Sequence, residues 1–147
     1  MNEITIFYAD DDEDDILLFT DAVASISQKF HQPIQLHIHK NGENLLVNLK
    51  ELNPKNGVVF LDLNMPKKSG LQFLKDIRDE VTTQQFPVVI YSTSSSKLDI
   101  ELSLNLGANH YAVKPYNFND LIKMIYNVAT INWADHYVNE NNFLLQK

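Results

Sequence analysis

Asp62 follows the unbroken apolar run Val58-Val59-Phe60-Leu61, and three other polar positions stand the same way at the ends of apolar segments. Asp10-Asp11 close Ile4 to Ala9, Ser92 closes Pro87 to Tyr91, and Lys114 closes Tyr111 to Val113. If these segments are parallel strands, their ends share one edge of the sheet, where ligands of open α/β sheets bind. That edge then carries three carboxylates, a hydroxyl and an ammonium group. Carboxylates packed together repel and rise in pKa unless a cation joins them. Oxygen donors without histidine or cysteine suit Mg2+, which keeps several waters and takes one or two carboxylates plus a phosphate. A carboxylate beside such an ion can attack a phosphoryl group and become an acyl phosphate. The metal and the lysine would neutralise the equatorial oxygens, and the hydroxyl would hydrogen-bond the product.

The segments between these positions supply the scaffold. Ile4 to Ala9 reads as a buried strand, and Ile16, Phe19, Val23 and Ile26 recur at helical spacing after it, with Asp12 suited to cap the helix. Pro33 to His39 alternates Ile34, Leu36 and Ile38 on one strand face, and Leu45, Leu46, Leu49 and Leu52 suggest a second helix. A third helix runs through Leu71, Phe73, Leu74 and Ile77, and a last one through Leu121, Ile122, Ile125, Val128 and Ala129. Continuously apolar strands are those buried on both faces. Strands alternating with helices five times predict an α/β domain with a parallel sheet. One stretch departs from the pattern: Leu98, Ile100, Leu102, Leu104 and Leu106 alternate as in a strand. Leucine and glutamate favour helix there. In a helix, Ile100 and Leu104 share one face and Leu98, Leu102 and Leu106 another, so one face is a candidate contact surface. Gly107 is the expected C-terminal cap.

Composition narrows the classes. The 147 residues suit one domain, and 44% hydrophobic with 21% charged is ordinary for a globular chain. The net charge of −7 opposes direct nucleic-acid binding. No apolar run reaches the ~18 residues of a membrane span. There are no cysteines for disulfides, thiolate metal sites or thiol nucleophiles. Met1-Asn2-Glu3 does not resemble a signal peptide, so a cytoplasmic location is expected.

With Asp10-Asp11, the run Leu61-Asp62-Leu63-Asn64-Met65-Pro66 followed by Gly70, Ser92, and Lys114-Pro115, the chain resembles two-component response-regulator receiver domains over residues 3 to 130. The resemblance is to chemotaxis-regulator-like single-domain receivers, and the tail is similar to that of receivers partnered with phytochrome-like kinases. It implies a flavodoxin-like (βα)5 fold with a doubly wound, five-stranded parallel sheet in the order 2-1-3-4-5. Residues 1–133 would form the receiver domain and 134–147 a C-terminal tail, with no separate output domain. Asp62 would be the phosphoacceptor. Asp11, Asp62 and the Asn64 carbonyl would ligate Mg2+ directly, and Asp10 through water. Lys114 would pair with Asp62 and then with its phosphoryl group, Ser92 would be the switch hydroxyl, and Tyr111 the aromatic that follows it. Lys114-Pro115 would form a cis turn. The implied partners are a sensor histidine kinase or a histidine phosphotransfer protein, and a downstream protein target. A homodimer through the face spanning residues 98–131 is a further expectation, motivated by the surplus leucines. Beyond self-phosphorylation and slow hydrolysis, no enzyme activity is implied.

Blander readings stand beside these. Asp12 to Asp15 read as a solvated helix start, and Ser94 to Ser96 as a turn and cap. His37 and His39 share a strand face but lack a third ligand, so they read as ordinary histidines. Trp133 and the apolar tail read as core cover or a dimer contact. A pseudo-receiver, keeping the fold as a constitutive interaction module without the chemistry, is opposed by the complete residue set. An aspartyl-nucleophile phosphatase needs a second aspartate two residues after the nucleophile, where Asn64 stands.

Overall fold

The computed structural model describes residues 2–145. β1 (Ile4–Asp10), β3 (Gly57–Leu61) and β4 (Val88–Ser92) are buried throughout, because helices cover both faces of the sheet they form. The other elements are α1 (Glu13–Phe30), β2 (Ile34–Lys40), α2 (Leu45–Leu52), α3 (Gly70–Asp79), α4 (Lys97–Asn105), β5 (His110–Val113), α5 (Phe118–Ala129) and β6 (Leu144–Leu145). All pairs are parallel, in the order β2-β1-β3-β4-β5-β6. Alternate residues of each strand feed two cores. Ile6, Tyr8, Phe60, Val89 and Tyr91 pack with α1 and α5. Phe7, Ala9, Leu61, Ile90 and Tyr111 pack with α2, α3 and α4.

The predicted five-stranded sheet is thus a six-stranded one. β5 would otherwise be an open edge, with unpaired backbone groups. The tail closes it: Tyr111 N–H donates to the Phe143 carbonyl at 3.0 Å, and Leu144 and Leu145 pair with Tyr111 and Ala112. The Phe143 side chain is buried in the α2/α3/α4 core, while Trp133 packs against the opposite one.

Ile34, Leu36 and Ile38 of β2 share one face, as expected; the first two pack on the α1/α5 side, and Ile38 is exposed near the end of this edge strand. On the other face His37 stacks on Phe7, and buried His39 bonds the Glu43 carbonyl at 2.8 Å. In α4, Ile100 and Leu104 meet the core and Leu98 and Leu102 are exposed, but Leu106 is packed inward rather than sharing their face. The helix ends at Asn105, and Gly107, at φ +95°, turns the chain there.

Candidate functional site

Asp10 ends β1 with its carboxylate fully buried and four donors on it. Oδ1 accepts the N–H groups of Asp11 (2.7 Å) and Asp12 (3.0 Å). Oδ2 accepts the Tyr8 hydroxyl and, at 2.8 Å, Lys114 Nζ. An ionised carboxylate offers about four lone-pair directions, so every one is taken. Burial pushes the Asp10 pKa up, but the Lys114 ammonium, Tyr8 hydroxyl and Asp12 N–H outweigh it and hold the group below the ordinary carboxylate value. Tyr8 is itself pushed far up, by burial first and then by the charge of Asp10.

Asp62 lies one residue beyond β3, its N–H bonded to the Ala9 carbonyl at 3.0 Å, which fixes it beside the end of β1. The following loop folds back tightly. Gly70 N–H donates to the Leu63 carbonyl at 2.9 Å, and a Cβ at Gly70 would stand 2.1 Å from the Asp62 carbonyl oxygen. A glycine is required for that approach. Asn64 and Pro66 are exposed on this loop, and Met65 is buried. Burial and the charge of Asp10, opposed by Lys114, push Asp62 up to about 7.

Carboxylate oxygens of Asp10, Asp11 and Asp62 all lie within 4.8 Å of one another. The donors are all hard oxygens, and the Asp62 carboxyl is pushed up by burial and by the charge of Asp10, a cost that added positive charge would relieve. These features fit a small divalent cation such as Mg2+.

Lys114 continues the β4–β5 pairing through its N–H, 2.7 Å from the Ser92 carbonyl. Its side chain is 9% exposed and reaches Asp10 at 2.8 Å, Asp15 at 2.7 Å and Asp62 at 3.7 Å. The ammonium also lies 5.3 Å from the Tyr91 ring centroid. Burial works to lower its pKa, but the bonds to Asp10 and Asp15 and the charges of Asp10 and Asp62 prevail and raise it. The Lys114–Pro115 peptide is trans, not the cis turn expected from the resemblance. Trans is the lower-energy isomer of an X–Pro bond by about 0.5–1 kcal/mol, and the Lys114 side chain meets all three carboxylates with the bond in that form.

Ser92 and Tyr111 are both fully buried. Ser92 stands two residues after Ile90, whose register partner is Tyr111, so both belong to the face covered by α4. They share a third residue. Ser92 Oγ accepts the Ser94 N–H at 3.1 Å, and the Tyr111 hydroxyl donates to the Ser94 carbonyl at 2.7 Å. Ser94 Oγ donates to Asp99 in the first turn of α4 at 2.6 Å, and Ser96 caps that helix.

Three participants escape the sequence reading. Asp15 reads as part of a solvated helix start, yet it bonds Lys114, a partner 99 residues away that no spacing pattern shows. Tyr8 reads as core, yet a strand places residues two apart on one side, which brings its hydroxyl to Asp10. Ser94 reads as a turn residue, and no sequence signal shows that it joins Ser92, Tyr111 and α4. Asp12 is the expected cap, accepting the N–H groups of Asp14 and Asp15.

The response regulator receiver domain model matches residues 6–126. Among curated proteins, the response regulator Rcp1 of Synechocystis sp. is 36% identical over 85 residues, covering 58% of this chain and 57% of that protein. The transcriptional regulatory protein CpxR of Escherichia coli is 36% identical over 86 residues, covering 58% of this chain and 36% of that protein. The chain thus matches less than two thirds of the length of either relative. Among solved structures, the phosphorylated cyanobacterial phytochrome response regulator RcpA superposes with a TM-score of 0.75 at 26% identity, covering 95% of this chain and 100% of that one. The Mn2+-bound form of Rcp1 gives 0.71 at 25% identity, with 92% and 99% covered.

Proposed function

The chain belongs to the response regulator receiver family, and from that premise we propose that it accepts a phosphoryl group on Asp62 and uses it to switch a protein-interaction surface. The observation that carries this reading is the cluster itself: three carboxylates within 4.8 Å of one another, with Lys114 3.7 Å from Asp62. Asp11, Asp62 and the Asn64 carbonyl would hold Mg2+, with Asp10 acting through water once Lys114 releases its Oδ2. Bound there, the ion would neutralise charge on the carboxylates and on the phosphoryl oxygens.

An Asp62 carboxylate oxygen attacks the phosphorus of a phosphohistidine, forming the acyl phosphate as the P–N bond breaks and the imidazole leaves with that bonding pair. Lys114 supplies positive charge to the transferring group. The Ser92 hydroxyl then turns from its contact with Ser94 N–H to the new phosphoryl oxygens. Because Ser94 also accepts from Tyr111 and bonds Asp99, that turn alters the α4 face bearing exposed Leu98 and Leu102. Turnover is no part of this reading: the chain takes the group onto itself and loses it slowly to water. A histidine kinase or phosphotransfer protein is the donor, a protein is the target, and the setting is cytoplasmic. Residues 1–133 act as the receiver unit, with the tail strand β6 and Phe143 completing its sheet and core, and the dimer face lies within 98–131.

Intact-mass measurement after incubation with acetyl phosphate and Mg2+ tests the reading. A single phosphoryl adduct is expected in the wild type and none in Asp62→Asn. An unmodified wild type would leave the pseudo-receiver reading in its place.

A further inference from the structure

Lys114 is held by two carboxylates that differ in what they lose if it leaves. Asp10 is fully buried and keeps three donors without it, from Tyr8, Asp11 and Asp12. Asp15 has a side chain 27% exposed and sits at the rim, in the first turn of α1, where water can replace the ammonium. The geometry favours the present pairing over Asp62: Nζ is 2.7 Å from Asp15 Oδ2 but 3.7 Å from Asp62 Oδ1, beyond hydrogen-bond range. The position of Asp15 is fixed independently of Lys114, since Asp12 caps the helix and accepts the Asp15 backbone N–H at 3.1 Å.

We infer that Asp15 is a positioning residue that draws Lys114 away from Asp62 in the unphosphorylated protein and is exchanged for a phosphoryl oxygen when Asp62 is modified. The inference rests on the phosphoryl-accepting reading above and adds to it a second holder of the lysine, set in competition with the phosphoryl group. Asp15 therefore sets how strongly the site retains a phosphoryl group. Removing its charge while keeping its shape frees one of the three ammonium donors and strengthens the attraction of Lys114 for the anion.

The test is titration with beryllofluoride at saturating Mg2+, followed by 19F NMR, on the wild type, Asp15→Asn, Asp15→Glu and Asp14→Asn. Asp14 is an exposed neighbouring carboxylate without a bond to Lys114, so it measures the general effect of one charge fewer. Asp15→Asn is expected to bind roughly two- to fivefold more tightly, the upper span of a partly exposed ion pair. Asp15→Glu should return to the wild-type value and Asp14→Asn should leave it unchanged. Equal or weaker binding by Asp15→Asn, or an equal gain in Asp14→Asn, overturns the inference while wild-type binding still upholds the phosphoryl-accepting reading. A wild type that does not bind at all removes both.

Discussion

Two cations lie at opposite ends of the sheet, and their partners differ in kind. Lys114, past the C-terminal end of β5, faces Asp10, Asp15 and Asp62. Arg78, at the end of α3, faces neutral oxygens. Its Nε donates to the Gly107 carbonyl at 2.8 Å, Nη1 to those of Gln84 (3.2 Å) and Phe86 (2.7 Å), and Nη2 to Asn109 Oδ1 at 2.9 Å. Asn109 Oδ1 in turn accepts the Val88 N–H at 2.8 Å. A guanidinium is a rigid fork and suits fixed acceptors, whereas an ammonium is a point charge that can change partners. The Arg78 network ties the loops before β4 and β5 to α3. The Lys114 network has more carboxylates than its ammonium can balance, and that surplus is what a metal ion or a phosphoryl group can rearrange.

The contrast predicts opposite outcomes for substitution. Arg78→Ala strands several carbonyls and is expected to cost about 2–4 kcal/mol by urea denaturation, while leaving the Asp62 mass adduct intact. Arg78→Lys should recover only part of the loss, because one ammonium cannot span the four acceptors. Loss of phosphorylation in a folded Arg78→Ala protein would break the separation of the two ends. A smaller effect of opposite sign is expected at the other end. Asp62→Asn relieves the crowding that drives the Asp62 pKa up to about 7, so the Mg2+-free protein should gain about 1–2 kcal/mol. Added Mg2+ should then raise the melting temperature of the wild type more than that of the variant. An Asp62→Asn protein less stable than the wild type without metal would mean that Asp62 serves the fold and not the chemistry.

The same contrast explains what could be read from the sequence. Asp10, Asp62, Ser92 and Lys114 were legible because each interrupts an apolar run, and a parallel sheet brings such interruptions together without further information. Strand runs such as Val58 to Leu61 were legible because burial on both faces leaves no polar alternation. β6 was not, since Leu144–Leu145 is two residues long and gains its meaning only from the open edge of β5. Leu106 departs from its expected face for a related reason: periodicity assigns faces within an element, but not where the element ends or which neighbour covers it. Arg78, Asp15 and Ser94 act through partners distant in sequence or through backbone groups, neither of which a spacing pattern carries.

Amide chemical-shift mapping with and without beryllofluoride and Mg2+ tests the central distinction most directly. The account predicts large changes at Asp10, Asp62, Ser92, Ser94, Tyr111 and Lys114, extending into α4, and small ones at Arg78, Phe86, Gly107 and Asn109. Comparable changes at both ends, or none around Asp62, would contradict it.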